Sequence, residues 1–305
     1  MIIKPRQELT ELKILRSLHA RMKFEAKEES YYQNLERGFA GELKFDEWLE
    51  PISADSIIIT DLLLEWNNTV FQIDTLLLSS NTIYLFEVKN YEGDFYIDSD
   101  QWYSFSKTEI KNPLLQVKRS ESLLRRLLHS LGIHDPIEPY LIFINPDFYL
   151  YQTPIDAPIV FPTQLKRFIN KLKKTPSHIS QSNVKLAEKL LSLQLDDTLF
   201  MRLPSYDYEG LRKGILCPGC LGVYDVFYNQ KTLHCSKCGC HEHYIGAVLR
   251  SITEYKLLFP NKRITTRCIH DWCNIIQSKR TIQSILRDNF KLVGRSTASH
   301  YINEK

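Results

Sequence analysis

Two carboxylates and one amine occur at a spacing that could bring them together in a β-sheet. Asp74 lies in one apolar run, and Glu87 and Lys89 lie in the next, with twelve residues between the two acids. An acid inside a strand is costly to bury unless it is paired or binds a cation. Because residues i and i+2 of a strand share a face, Glu87 and Lys89 should project together. Carboxylate oxygens suit Mg²⁺, and an ammonium group can orient a water or stabilise charge on a phosphate. The alternative is a solvated strand end with a surface salt bridge.

Cysteines supply a second set of metal-binding side chains. All seven lie between positions 217 and 273, and an odd, clustered set argues against disulfides. Fourteen residues separate two C-x-x-C pairs: Cys217 with Cys220, and Cys235 with Cys238. Zinc takes four thiolates in a tetrahedron, two from each pair. The alternating segment between the pairs predicts a hairpin that joins them as a zinc ribbon with one structural Zn²⁺.

Other thiols and imidazoles lie close to or beyond the second pair. Cys240, His241 and His243 directly follow it and could replace one of its ligands. Cys268 and Cys273 lie on a predicted helix at a spacing that does not share a face well. We expect these last two to be ordinary core thiols.

Several further motifs occur in order between about residues 36 and 130. They are Gly41-Glu42, Gln72-Ile73-Asp74, Glu87-Val88-Lys89-Asn90 followed by Gly93, then Trp102, and Asn112-Pro113 with Gln116. This ordered set resembles the nuclease-related domain (NERD) family of the PD-(D/E)XK nuclease superfamily, over about a third of the chain. The resemblance implies an α/β fold with a restriction-endonuclease-like mixed sheet, flanked by helices and with the acidic strands at its centre.

The resemblance also implies a chemistry, which is hydrolysis of phosphodiester bonds, expected to be those of DNA, with Mg²⁺ or Mn²⁺. Carried over residue by residue, it implies five catalytic side chains: Glu42, Asp74, Glu87, Lys89 and Gln116. The cation would bind at Asp74, Glu87 and Val88, and Lys89 would position the attacking water. By itself, Glu42 could equally be a helix-surface charge.

Other residues near these motifs have plainer interpretations. Gln116 could simply hydrogen-bond a loop, and Trp102 is expected in the core rather than stacked on a base. Four bases follow on the same predicted helix, and they form either a solvated face or a track for phosphates: Lys118, Arg119, Arg125 and Arg126.

Composition limits the class of protein. Hydrophobic residues make up 43% and charged residues 25%, which excludes a wholly disordered chain. No uncharged run is long enough to cross a bilayer, and the charged N-terminus lacks the apolar core of a secretory signal. We expect a soluble, cytoplasmic protein that makes no membrane contact.

Charge is distributed unevenly along the chain. The net charge is +3, yet residues 250–305 hold eleven Lys and Arg against four Asp and Glu. A basic end on a mildly acidic body suggests a polyanion-binding module. Two predicted helices in this tail, 265–277 and 281–289, are joined by a turn at 278–280 and suit a helix-turn-helix. Lys279, Arg280 and Arg287 are the best candidates for nucleic-acid contact.

Apolar periodicity and turn residues predict the remaining elements. Helices are expected over much of 5–50, with a new one starting near Gly38, and over 113–132, 163–174 and 182–193. Strands are expected at 56–59, 70–78, 82–89, 140–144 and 157–161. The predicted boundaries give five segments: an N-terminal helical extension (1–35), the nuclease-related domain (36–195), a linker (196–213), the ribbon (214–246) and a basic helical segment (247–305).

The sequence favours a metal-dependent nuclease whose ribbon and tail help to bind the substrate. The main rival is a DNA-binding or regulatory scaffold with a nuclease-like fold that does no cutting. An RNA-processing enzyme is a third reading, because nothing in the sequence separates RNA from DNA. The ribbon could also contact protein partners.

Overall fold

The computed structural model describes residues 1–174, 178–229, 231–295 and 299–302. The chain divides into two compact units. The first unit comprises residues 1–9 and 33–201, and the second comprises residues 10–32 and 202–305. The residues 1–35, expected to form one helical extension, are therefore shared between the units.

Eight α-helices and fifteen strands are formed by the described residues. The helices are α1 (Thr10–Arg21), α2 (Ala26–Leu49), α3 (Pro113–Ser130), α4 (Leu165–Lys174), α5 (Gln181–Ser192), α6 (Tyr244–Leu258), α7 (Thr266–Cys273) and α8 (Lys279–Asn289). The strands are β1 (Ile2–Lys4), β2 (Ile57–Trp66), β3 (Thr69–Leu78), β4 (Ile83–Lys89), β5 (Gly93–Asp98), β6 (Gln101–Ser104), β7 (Glu109–Ile110), β8 (Ile137–Phe143), β9 (Phe148–Tyr151), β10 (Ile159–Val160), β11 (Val226–Phe227), β12 (Thr232–His234), β13 (His241–His243), β14 (Lys291–Val293) and β15 (His300–Ile302). No described helix combines the length and apolar character that a membrane span requires.

The first unit is built on a mixed six-stranded sheet in the order β1-β2-β3-β4-β8-β10. Strands β2, β3 and β4 are antiparallel, whereas β4, β8 and β10 run parallel. The predicted mixed α/β fold is confirmed, and the two acid-bearing strands β3 and β4 are central. Asn67 and Asn68 form the tight turn between β2 and β3, both with positive φ, a conformation that asparagine tolerates.

Helices cover both faces of this sheet. Leucines of α3 and α5 pack on one face, with Leu124 and Leu190 fully buried. Phe45 of α2 and Ile169 of α4 pack on the other face. Strand β4 is apolar on both faces because both are covered, and its acid Glu87 is buried with it.

A second sheet, in the order β7-β6-β5-β9, completes the first unit. Trp102 of β6 is fully buried against Phe143, which confirms its expected place in the core. Two expectations for the N-terminal region were wrong or incomplete. Helix α2 runs unbroken through Gly38 instead of starting there, and the strand β1, which pairs with β2, was not predicted.

The second unit joins α1, the cysteine-rich segment and the C-terminal helices. Its core contains Tyr255 of α6 and Trp272 of α7, whose rings meet edge to face. Arg21 of α1 lies 4.0 Å from the Trp272 ring centroid and pairs with Glu254 at 2.6 Å. The guanidinium group is thus held by both an aromatic face and a carboxylate.

The tail helices differ from their predicted bounds. Helix α7 ends at Cys273 because Asn274 takes the left-handed conformation that closes helices. Helix α8 begins at Lys279, so that Lys279 and Arg280 belong to the helix rather than to the turn. Cys273 is buried as expected, whereas Cys268 is only half-buried and caps the start of α7 with Thr265.

Candidate active site and zinc centre

The five side chains expected to be catalytic line one cleft of the first unit, of about 610 Å³. Asp74 comes from β3, Glu87 and Lys89 from β4, Glu42 from α2, and Gln116 from the first turns of α3. Helix α3 is fixed at this point because Asn112 caps it, accepting a hydrogen bond from Leu114 N at 2.9 Å, with proline as its first residue.

Glu87, Lys89 and Gln116 form a closed triangle of hydrogen bonds. Lys89 Nζ donates to Glu87 Oε1 at 2.6 Å and to Gln116 Oε1 at 3.2 Å. Gln116 Nε2 donates to the same Glu87 oxygen at 2.5 Å. The Glu87 side chain is 1% exposed and that of Lys89 is 19% exposed, so this ion pair is not a solvated strand end.

Asp74 is fixed by the backbone of the neighbouring strand. Its Oδ2 accepts a hydrogen bond from Val88 N at 2.8 Å, and the residue is 7% exposed. This bond holds the carboxylate of β3 against β4, in the cleft that Glu87 also lines. The three residues expected to bind a cation are therefore neighbours.

Glu42 is held by an arginine that sequence reasoning missed. Arg6, which follows β1, is 1% exposed, and its Nη1 donates to Glu42 Oε2 at 2.6 Å and to Asp61 Oδ1 at 2.5 Å. Its other nitrogens bind both oxygens of Asp46 and the backbone oxygen of Asp74. Glu42 is thus part of a buried ion network and not a helix-surface charge.

Asp61 was also missed, although its sequence context carried a signal. It is an acid within the apolar run of β2, and its φ is 52°, which is unusual for a residue other than glycine. The register of β2 with β3 omits the pair of Asp61 and Asp74, so the strand is irregular beside the site. Strained backbone of this kind often occurs at functional sites.

Gly41 has a packing role beside the same site. A Cβ at this position would lie 2.6 Å from Asn90 Cβ, which is closer than such atoms approach. The absence of a side chain therefore lets α2 lie directly against the end of β4. Glu42, the next residue, reaches the cleft as a consequence.

Burial and mutual repulsion shift the pKa values of the acidic side chains in the cleft. Burial, followed by the charge of Asp74, raises the pKa of Glu87 to about 8 against the opposing effect of Lys89. Burial and Asp74 likewise raise the pKa of Glu42 to about 9 despite Arg6. Burial lowers the pKa of Lys89, but Glu87 and Asp74 outweigh it and raise that pKa above its usual range. The lysine therefore remains charged.

The site has the properties expected of a cation-binding site. Glu87 Oε2 is buried and has no hydrogen-bond partner, although buried carboxylate oxygens are normally paired. Burial, followed by the charge of Asp74, raises the pKa of Glu87, so a bound cation would offset an unfavourable negative charge there. Mg²⁺ and Mn²⁺ bind carboxylate oxygens, so the residues present fit such an ion, which Asp74, Glu87 and Val88 would hold.

The four predicted zinc ligands come together in the second unit. The sulfurs of Cys217, Cys220, Cys235 and Cys238 all lie within 4.8 Å of one another. Strands β11, β12 and β13 form a small antiparallel sheet around them. This cluster fits a zinc ribbon, and it is the only group of three or more metal-binding side chains at such spacing in the described part of the chain.

The alternative ligands near the second pair lie outside this cluster. Cys240 Sγ accepts a hydrogen bond from Tyr224 OH at 3.7 Å. His241 is exposed, and its ring is tilted against that of His234, with ring centroids 4.6 Å apart. His243 caps α6 by accepting from Ile245 N at 3.4 Å.

We expect native mass spectrometry to find one Zn²⁺ per chain. Cys235→Ser should lose the ion and lower the thermal midpoint of the second unit, because a closed four-thiolate site contributes folding free energy. Cys240→Ser, which changes a neighbouring thiol, is the matched control and should keep the ion. Zinc loss in Cys240→Ser with retention in Cys238→Ser would show that the ligand set is different.

The bases expected to contact nucleic acid lie in the second unit. Lys279, Arg280 and Arg287 are all on α8 and all exposed. Among the bases of α3, Arg125 pairs with Glu121 on the same helix, and Lys118 is exposed.

Comparison with known families identifies part of the chain. Residues 37–144 match the family model of the nuclease-related domain, NERD. This span includes Glu42, Asp74, Glu87, Lys89 and Gln116. Searches of curated proteins and of solved structures find no match. The chain thus contains a nuclease-related domain, followed by a four-cysteine cluster that fits a zinc ribbon.

Proposed function

We propose that the first unit is a metal-dependent nuclease that hydrolyses phosphodiester bonds of DNA. The observation that carries this proposal is the group of buried Asp74 and Glu87 with half-buried Lys89, in which one Glu87 oxygen has no partner. The match to a nuclease-related domain supports the same chemistry. The second unit would hold the substrate through the bases of α8.

The side chains divide the work between binding and positioning. Asp74 and Glu87, with the backbone at Val88, would hold Mg²⁺ or Mn²⁺. When bound, the ion would supply Lewis-acid stabilisation of the charge that builds on the phosphate. Gln116 holds Glu87 Oε1 in place through its amide.

Lys89 acts as a donor and a positive charge, and not as a general base. Glu87 and Asp74 keep it protonated, so it has no lone pair with which to take a proton. Its ammonium can hydrogen-bond the attacking water or the phosphoryl oxygen. Glu42, whose carboxyl group is held at Arg6, lies on the same cleft and would assist in orienting the water.

The direct test is a cleavage assay of the full chain with added Mg²⁺, Mn²⁺ or no divalent ion. Substrates should include plasmid, linear duplex and single-stranded DNA, and RNA. We expect metal-dependent cleavage of DNA that is lost in Glu87→Gln. Glu65→Gln, which makes the same change at an exposed position of β2, is the matched control and should cut normally.

Two outcomes would contradict the proposal. Equal cleavage by wild type and Glu87→Gln would indicate a contaminating nuclease. Binding of DNA without cleavage in either metal would favour a non-cleaving scaffold. Preferential cleavage of RNA would support the nuclease site but show that its substrate is RNA.

Binding of Mn²⁺ should strengthen as the pH rises from 6 to 9. The raised pKa of Glu87, about 8, means that protons compete with the ion for this carboxyl group over this range. Isothermal titration calorimetry in buffers of different ionisation enthalpy should detect proton release on binding at pH 7. An affinity that does not change with pH would contradict this expectation.

The stability of the metal-free protein should show the opposite trend. A carboxyl whose pKa is raised on folding binds protons more tightly in the folded state, so ionising it costs stability. For Glu87 the window runs from its ordinary value of 4.5 to about 8, and stability should fall as the pH rises through it. Mn²⁺ should reverse part of this loss, measured as the thermal midpoint with and without the ion.

A further inference from the structure

The C-terminal part of the second unit combines three helices with a hairpin. Helices α6, α7 and α8 pack on one another, and α7 joins α8 through the short turn 274–278. The chain then passes directly into β14, which pairs antiparallel with β15. A bridge between Ile264 and Tyr301 ties the segment before α7 to this hairpin. This is a helix-turn-helix with a β-hairpin attached to its second helix.

Helix α8 presents a polar face and an apolar one. Its inward side chains are buried: Ile282, Ile285 and Leu286. Arg280, Ser284 and Arg287 follow one another at spacings of four and three and are exposed, with half-buried Gln283 beside them. Residues at this spacing share one helix face. The face offers two long cations and two hydrogen-bonding groups.

Further exposed bases flank this face. Lys279 begins α8, Lys291 begins the hairpin, and Arg295 follows β14. Arg267 is exposed in the first turn of α7. Asp288 is the one acid of α8, and it accepts a hydrogen bond from Ser284. Glu209 and Asp271 lie beside Lys279 and Arg267, so the excess positive charge is carried by Arg280, Arg287, Lys291 and Arg295.

We propose that this surface binds duplex DNA, with α8 in the major groove and the bases of β14 and α7 on the phosphate backbone. A positively charged surface is complementary to a polyanion. The polar side chains on one face of α8 could reach the base edges on the floor of a groove. B-form DNA has a major groove wide enough for a helix, whereas the major groove of duplex RNA is too deep and narrow. The second unit thus selects duplex DNA as the substrate class. This assignment concerns binding alone and stands whether or not the first unit cuts.

Fluorescence anisotropy of the full chain, without added divalent ion and with its zinc retained, tests the assignment. The probes are labelled 25-base-pair DNA of mixed sequence, the matching single strand and the matching duplex RNA. Duplex DNA should bind most tightly. Arg280→Ala/Arg287→Ala should weaken its binding by about tenfold or more, because both side chains lie on the face that enters the groove.

A matched double variant shows whether a loss of binding comes from the α8 surface or only from the lower total positive charge. Lys185→Ala/Lys189→Ala removes two exposed bases of α5 and should change the affinity less than twofold. Circular dichroism and zinc content establish that both double variants are folded. Equal losses in the two variants, no loss in the α8 variant, or tighter binding of duplex RNA or single-stranded DNA would each overturn the proposal.

Discussion

Lys89→Met is expected to slow DNA cleavage by about a hundred- to a thousandfold. The substitution keeps the length of the side chain and removes the charge that lies 2.6 Å from Glu87 Oε1. One well-placed donor at a developing negative charge is worth about this factor. Turnover at saturating DNA, measured with Mn²⁺, reports the effect on the chemical step.

Two further variants make the Lys89 result interpretable. Lys89→Arg keeps the charge but changes its geometry and should retain more activity than Lys89→Met. Lys166→Met removes an exposed lysine of α4 and should cut normally. Wild-type activity in folded Lys89→Met, verified by urea unfolding, would remove this lysine from the mechanism.

Arg6→Met is expected to destabilise the first unit by about 3–5 kcal/mol at pH 8. The guanidinium is 1% exposed and is the shared partner of Glu42, Asp46 and Asp61. Removing the guanidinium leaves the Asp61 carboxylate, which is ionised at pH 8, and the other two carboxyl groups without their buried partner. Urea unfolding of metal-free protein, followed by circular dichroism, measures the change.

The loss in Arg6→Met should be smaller at pH 5 than at pH 8. Burial already raises the pKa of Asp61 to about 6 and that of Glu42 to about 9, and Arg6 opposes both shifts. Without the guanidinium the acids retain their protons more strongly, so low pH removes the repulsion. Arg167→Met, at an exposed site of α4, is the control and should change stability by less than about 0.5 kcal/mol. A pH-independent loss would point to lost packing instead.

Short-range sequence patterns were sufficient to predict the site residues that lie on strands. The two-residue period of a strand places Glu87 and Lys89 on one side, and the structure joins them by a hydrogen bond. Ser79, Ser80 and Asn81 are residues typical of turns, and they lie in the connection that sets Asp74 of β3 near β4. These signals act over a few residues and can be seen in the sequence.

Arg6 could not be found in the same way. Its partners Glu42 and Asp74 lie 36 and 68 residues away, and no sequence period links them. The strand β1 that delivers it is only three residues long, too short for an alternating pattern. The end of α7 is a different case, because Asn274 carried a helix-closing signal that a longer apolar pattern obscured.

The division of the N-terminal residues between the units limits how the chain can be dissected. Residues 1–9 give the first unit its edge strand and Arg6, and residues 10–32 give the second unit α1 with Arg21. A fragment restricted to 37–144 would keep the five proposed catalytic side chains but lack the guanidinium that binds Glu42. A fragment starting at residue 202 would leave Glu254 without its buried arginine. Neither unit should fold stably as one continuous fragment of the chain. Deleting the first 35 residues should destabilise both units.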